Sequence, residues 1–281
     1  MIVFPNCKIN LGLYVTRRRE DGYHDLETVF YPLPAEASAK AGLRPLNDVL
    51  EIVPASETQL HMSGRAVAGD SKDNLVWKAC DLLKREHPGK IPDLDIHLYK
   101  NIPMGAGLGG GSADGAYMLR LLNDYCQLSL SKEQLATYAL QLGSDCPFFI
   151  YNTPQFAKGR GEQMTDIELD LSAYSIQVIC PPVHVSTGKA FQMITPRPAP
   201  FDLRYLAPLP VGEWKQKITN DFEAPVFAQH PVLATIKQQL YDGGALYAAM
   251  SGSGSALFGI FPKGQKAEIK VHVAFEDYYV G

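Results

Sequence analysis

Lys100-Asn101-Ile102-Pro103-Met104-Gly105-Ala106-Gly107-Leu108-Gly109-Gly110-Gly111-Ser112-Ala113-Asp114 is the stretch on which the reading of this chain turns. Six of the chain's 24 glycines fall between Gly105 and Gly115. Residues without side chains let the backbone come close to a ligand. Upstream, Asp93 to Tyr99 alternates Leu94, Ile96 and Leu98 with polar residues, the period of a strand. Downstream, Ala113 to Leu122 is strongly apolar and predicts a helix. The first N–H groups of that helix have no partner within it, and its dipole favours negative charge, so the segment suits a phosphate.

Two nucleotide-binding patterns fit only in part. Gly105, Gly107 and Gly110 satisfy the GxGxxG of a dinucleotide fold. That pattern requires a second strand ending in an acidic residue about 20 positions on. Here another helix follows, announced by the capping box Ser131-Lys132-Glu133-Gln134 and ended by Gly143. Gly105 to Ser112 nearly matches the GxxxxGK[ST] phosphate loop, but Gly111 stands where that loop needs its lysine. A flexible linker is excluded by the strand and core helix on either side.

Working outward, Ile9 to Val15 alternates as a strand and Glu27 to Leu33 reads as a second, separated by a turn over Arg17 to Gly22. Asp48 to Val53 predicts a third strand, and Pro34 to Pro45 a loop. Leu75, Val76, Ala79, Leu82 and Leu83 give Asn74 to Arg85 helical spacing. Phe148 to Tyr151 is expected as a short buried strand. Ser175 to Cys180 and Ser255 to Phe261 predict strands, Pro231 to Tyr241 a helix, and Pro196 to Pro210 an irregular stretch. Strands and helices mix without strict alternation, which favours an α+β class. A domain boundary near residue 155 is expected, giving domains 1–155 and 156–281.

The 26 basic and 30 acidic side chains leave a charge of −4, which argues against a nucleic-acid binder. No run approaches ~20 consecutive apolar residues, and the first residues lack the basic-then-apolar layout of a signal peptide. Five scattered cysteines without a CxxC suggest neither a disulfide framework nor a zinc site. The expectation is a reduced, cytoplasmic protein, with neither membrane nor nucleic acid as partner.

The Pro103–Asp114 segment closely resembles the second motif of the GHMP kinases, small-molecule kinases whose PxGxGLGSSA-type loop wraps the triphosphate of ATP. The resemblance extends to Cys7-Lys8-Ile9-Asn10-Leu11-Gly12-Leu13, Asp21-Gly22-Tyr23-His24-Asp25-Leu26, Gly143-Ser144-Asp145-Cys146-Pro147-Phe148-Phe149 and Gly159-Arg160-Gly161-Glu162. It continues through Val185-Ser186-Thr187 with Phe191, Asn220-Asp221-Phe222-Glu223 and Met250-Ser251-Gly252-Ser253-Gly254-Ser255. These matches run in family order over nearly the whole chain. Cys7, Gly115, Ser144 and Cys146 depart from the usual residues, and none removes a group the chemistry needs.

The resemblance implies a two-lobed α+β GHMP kinase fold. Its N-terminal lobe would bind ATP, its C-terminal lobe would be ferredoxin-like, and the active site would lie in the cleft between them. It implies ATP and Mg²⁺ as cofactors, and a monomer or weak homodimer. The substrate implied is a small diphosphocytidyl-linked polyol. Asp145 becomes the candidate base and Lys8 its cationic neighbour; a turn aspartate and a surface lysine are the plain alternatives. Pro103, Met104, Gly105, Ala106, Gly107, Leu108, Gly109, Gly110, Gly111, Ser112 and Ala113 would hold the triphosphate. Ser112 is also the candidate Mg²⁺ ligand, or else a helix N-cap. Asn74 and Lys100 match positions near the nucleoside. Tyr23 and Phe191 would stack on cytosine, with His24 at its edge. Asn10, Thr187, Gly252 and Ser253 would face the rest of the acceptor.

Overall fold

A computed structural model describes Met1–Pro34, Leu46–Val67 and Gly69–Gly281. The loop expected from Pro34 to Pro45 therefore lies, beyond Pro34 itself, outside the described residues. In chain order the elements begin with β1 (Ile2–Val3), β2 (Cys7–Arg18), β3 (His24–Leu33), β4 (Val49–Pro54), β5 (Gln59–Gly64), α1 (Leu75–Glu86), β6 (Leu94–Lys100), α2 (Gly110–Tyr125) and α3 (Lys132–Leu142). There follow α4 (Cys146–Tyr151), β7 (Gln155–Lys158), β8 (Gln163–Asp166), β9 (Tyr174–Cys180), α5 (Thr187–Gln192), α6 (Trp214–Lys217), α7 (Glu223–Gln229), α8 (Pro231–Asp242), β10 (Tyr247–Met250), β11 (Leu257–Pro262) and β12 (Glu276–Val280).

The described residues gather into two units that share the chain alternately. The first takes those of Met1–Cys7, Leu46–Met104 and Gly109–Thr153; the second takes those of Lys8–Pro45, Gly105–Leu108 and Pro154–Gly281. The glycine segment is thus divided by membership: Gly105–Leu108 belongs to the second unit, and Gly109 onward to the first.

In the first unit β1, β4, β6 and β5 form one sheet in that order. β6 is antiparallel to β4 and parallel to β5. Burial alternates along β6, with Leu94, Ile96 and Leu98 inside, as the sequence period requires. Helices α1 to α4 complete this unit. Asn74 caps α1 by accepting the Val76 N–H at 2.9 Å. The capping box of α3 is present in full, Ser131 and Gln134 each serving the other's backbone. Gly115 of α2 lies against α1, where an added Cβ would stand 3.0 Å from Leu75 Cβ. Its helix-propensity cost of about 1 kcal/mol therefore allows the two helices to approach closely.

Cys146–Tyr151 is a helix, and the expected strand over Phe148 to Tyr151 is corrected. A short apolar run bounded by turns has the same pattern in either state. Pro147 falls within the first two helical positions, where it is tolerated, and Asn152 ends the helix in the left-handed conformation at φ 52°. The turn between β2 and β3 is also shorter than expected, because β2 continues through Arg18.

The second unit holds two sheets, β2-β3-β7-β8 and β10-β11-β9-β12. The pairings of β9 with β11 and β12 are antiparallel. Its core joins Leu13 and Val15 of β2 to Leu233, Ile236 and Leu240 of α8 and to Ala248, Met250, Leu257 and Phe261 of the second sheet. Lengths of chain far apart in sequence therefore share one interior.

Candidate active site

The glycine segment begins where β6 ends. Gly105–Leu108 is fixed by its backbone. The Ala106 carbonyl accepts the Ala256 N–H at 3.1 Å, and the Leu108 carbonyl accepts the Lys8 N–H at 2.9 Å. Ser251 Oγ donates to the Gly107 carbonyl at 2.9 Å. Gly107 has φ +80°, and a Cβ there would fall 2.0 Å from the Ser251 carbonyl oxygen. Glycine is required there on two counts, the left-handed backbone and the lack of room.

From Gly109 the segment becomes the start of a helix. Gly109 occupies the N-cap of α2 with φ 75° and makes no side-chain cap bond. Ser112 is therefore the third residue of the helix, and its expected alternative as N-cap is corrected. The Ser112 hydroxyl lies beside the Cys146 thiol. Burial pushes that thiol up to about 12, so Cys146 stays protonated and serves in packing. Asp145 is half-buried at the N-cap position of α4, yet its side chain makes no capping bond. Pro103 is partly exposed and Met104 is 52% exposed.

Lys100, only 3% exposed, ion-pairs with Asp48 and, at 2.6 Å, with Asp114. The Lys100 ammonium is thus engaged within the protein by two buried carboxylates. Asn74 likewise spends its carbonyl oxygen on the cap of α1. Sequence alone could not pair Lys100 with an aspartate 52 positions upstream.

In the second unit Lys8 is also 3% exposed. Its Nζ donates to Asn10 Oδ1 at 2.6 Å and lies 4.9 Å from the centre of the Phe30 ring. Asn10 Nδ2 donates to Thr28 Oγ1 at 3.0 Å, which orients the amide. Thr187 and Ser253 share a hydrogen bond of 2.9 Å between their hydroxyls. The ring stacked on Phe191 is that of His24, at 5.0 Å and 15°. Phe222 supports Phe191 edge-on at 4.8 Å. Tyr23 is 55% exposed, with the Arg160 guanidinium 4.4 Å from its ring centre. The unit thus offers an accessible aromatic face at Tyr23 and a supported aromatic pair at His24 and Phe191.

Sequence reasoning left three side chains without a role. Asn220 Nδ2 donates to the carbonyls of Met250 and Gly252, each at 2.8 Å. Glu223 Oε1 accepts the Met250 N–H at 2.9 Å. Together with Ser251 they shape the turn at Gly252, whose φ is +56°. The available signal was a polar Asn-Asp-Phe-Glu run just before a helix, which is where local backbone bonding concentrates.

Comparisons with known proteins place the chain in a family. The family description "GHMP kinases N terminal domain" matches residues 74–153, and "GHMP kinases C terminal" matches residues 210–279. The chain belongs to the GHMP kinases. Among its relatives, the 4-diphosphocytidyl-2-C-methyl-D-erythritol kinase of Parabacteroides distasonis is 50% identical over 263 residues, covering 94% of this chain and 92% of that one. The kinase of the same name from Bacteroides thetaiotaomicron is 50% identical over 273 residues, covering 95% of each. A crystal structure of 4-(cytidine 5'-diphospho)-2C-methyl-D-erythritol kinase superposes with a TM-score of 0.75 at 30% identity, over 92% of this chain and 90% of that one. Homoserine kinase from Cytophaga hutchinsonii shares the fold, with a TM-score of 0.72 at 14% identity, over 100% of this chain and 93% of that one. The GHMP kinase α+β fold of this chain is thereby established, and the family carries ATP as co-substrate. No helix among the described residues is long and apolar enough to cross a membrane.

Proposed function

We infer that this chain catalyses the reaction for which its relatives are named. It is a small-molecule kinase of the non-mevalonate route to isoprenoid precursors. It transfers the γ-phosphoryl group of ATP to the 2-hydroxyl of 4-diphosphocytidyl-2-C-methyl-D-erythritol, giving the 2-phosphate and ADP. The observation that carries this reading is half-identity over nearly the full length of kinases with that name.

Phosphoryl transfer needs a positioned hydroxyl, a destination for its proton and neutralisation of charge on the phosphates. Asp145, half-buried directly before α4, takes the proton of the acceptor hydroxyl. Lys8, oriented by Asn10, stabilises negative charge on the attacking oxygen. The loop from Pro103 to Ala113 holds the triphosphate on backbone N–H groups, which accounts for the left-handed glycines at 105, 107 and 109. Tyr23, His24 and Phe191 hold the cytosine, and Asn10, Thr187, Gly252 and Ser253 the remainder of the acceptor. Asn74 and Lys100 stand near the nucleoside in this reading, with the Asn74 carbonyl oxygen and the Lys100 ammonium engaged within the protein.

Among the described residues no cluster of three or more His, Cys, Asp or Glu side chains could cage a metal. That donor set fits Mg²⁺ carried in mainly by phosphate oxygens and water, with the partly exposed Ser112 hydroxyl as its protein ligand. Mg²⁺ would supply charge neutralisation on the phosphates. As further parts of this reading, the family domains run 1–155 and 156–281 in sequence, with Lys8–Pro34 and Gly105–Leu108 of the first packing in the second compact unit, and the protein works in the cytoplasm as a monomer or weak homodimer.

A coupled ADP-release assay tests the substrate, with the diphosphocytidyl acceptor set against mevalonate and homoserine. Turnover of either alternative but not of the first would overturn the reading. Asp145→Asn and Lys8→Ala are each expected to lower kcat at least about a hundredfold, with folding intact by circular dichroism.

A further inference from the structure

We propose that the buried cluster of Lys100, Asp48 and Asp114 is the positioning device of the phosphate loop, setting the aim of the α2 N-terminus without touching nucleotide. This rests on the reading of that loop as the triphosphate site.

The cluster is confined to the first unit and almost dry. Lys100 is 3% exposed, Asp48 0% and Asp114 2%. Burying three ionisable groups is costly, and the cost falls only where their bonds are well satisfied. The bonds that satisfy them converge on the loop. Asp48 Oδ1 accepts the N–H groups of Asn101 and Ile102, at 2.6 and 2.8 Å. Those are the last two N–H groups before Pro103, which has none. Asp48 Oδ2 pairs with the Lys100 ammonium, and that ammonium donates to Asp114 Oδ2 at 2.6 Å. Asp48 directly precedes β4, Lys100 ends β6, and Asp114 lies in the second turn of α2.

A packing contact joins the cluster to the helix start. A Cβ at Gly110 would stand 2.9 Å from Ile102 Cγ2 and 3.5 Å from Asp48 Oδ2. The first turn of α2 therefore rests directly on Ile102, whose backbone Asp48 holds. A shift of the Asp48 carboxylate would move the turn at Asn101-Ile102 and the helix start together. The N–H groups at that start are the ones a phosphate would use.

The two carboxylates are not equivalent. Every contact of Asp48 requires an acceptor: two N–H groups on one oxygen and an ammonium on the other. Asp114 Oδ1 is buried without a hydrogen-bond partner. Burial pushes the Asp114 carboxyl well above the usual carboxylate range, against the pull of Lys100. A neutral side chain is therefore far better tolerated at 114 than at 48.

The test uses the full-length protein as wild type, Asp48→Asn, Asp114→Asn and Ile102→Leu. Binding of Mg²⁺ with a non-hydrolysable ATP analogue is measured by calorimetry, alongside KM for each substrate and the melting temperature. Asp48→Asn is expected to weaken nucleotide binding and raise KM for ATP by at least about tenfold, because misaimed positioning groups carry large penalties. The acceptor KM should stay within about twofold, and Asp114→Asn should lose only about threefold. Should Asp48→Asn fail to fold, Ile102→Leu removes the Cγ2 that meets the helix start while conserving volume, and should raise KM for ATP about threefold at a melting temperature within a few degrees of wild type. Nucleotide binding like wild type in folded Asp48→Asn, or unchanged KM for ATP in Ile102→Leu, overturns the inference. Equal damage from Asp114→Asn and Asp48→Asn overturns it as well. A wild-type protein that binds no nucleotide overturns the reading of the loop itself, and the inference with it.

Discussion

Gly107 and Gly111 stand four residues apart in one loop, yet a methyl group added to each would meet opposite surroundings. At Gly107 it would fall 2.0 Å from a backbone carbonyl oxygen, on a residue already in the left-handed region. At Gly111 it would find nothing within 4 Å, and the backbone there is not left-handed. The first half of the loop is held by neighbouring backbone, and at Gly107 it must be glycine. The second half becomes the first turn of a helix, and at Gly111 glycine leaves N–H groups uncovered but is not forced by space. A run of like residues in sequence thus divides into a part fixed by geometry and a part fixed by access.

Substitutions along the loop can break this comparison. The largest effect belongs to Gly107→Ala. Its methyl cannot be accommodated unless backbone moves, and kcat/KM should fall at least about a hundredfold, the penalty of misplacing a positioning segment by about 1 Å. An ADP-release assay on the folded variant measures it, and near-normal turnover would remove the steric argument. Gly110→Ala comes next. Here the obstacle is the end of the Ile102 side chain at 2.9 Å, which can shift, so thermal unfolding should show a loss of about 1–3 kcal/mol.

The helices around the loop were legible in sequence where local chemistry decided them. Asn74 and the Ser131–Gln134 box mark helix starts because capping bonds span only two or three residues. The α4 helix was missed because its buried Phe148, Phe149 and Ile150 carry no period. Its helical state is set by Pro147 and by packing against α2 and α3. β5 was missed for the opposite reason. Its residues are mostly exposed, and its strand state comes from parallel pairing with β6. In the candidate site, short-range motifs name residues such as Lys8 and Asn10, whose bond spans two positions. Lys100 could not be placed, since its partners lie 52 and 14 positions away.

The remaining two predictions sharpen the contrast. Ser251→Ala removes the hydroxyl that holds the Gly107 carbonyl at 2.9 Å, and should cost about 1 kcal/mol in chemical denaturation. A loss of less than a few tenths would show that Ala256 and Lys8 suffice to hold that half. Gly111→Ala should have the smallest effect and the opposite sign. With open space around an ordinary helical backbone, it should raise stability by about 0.4–1 kcal/mol, read as a higher melting temperature. A drop instead would mean that both halves of the loop demand glycine for the same reason.

The bonding of β2 has a consequence for the growing chain on the ribosome. Leu13 donates its N–H to the Thr219 carbonyl and accepts the Asp221 N–H, and the Val15 N–H is taken by Asp221 Oδ2, 206 positions downstream. At cellular synthesis speeds that distance is roughly 10–40 s of translation. Throughout that interval one of the earliest strands made, apolar on its inner side, has no access to the partners that complete it. The nascent N-terminal hairpin is therefore left with unmet backbone groups until residues 219–221 have been made.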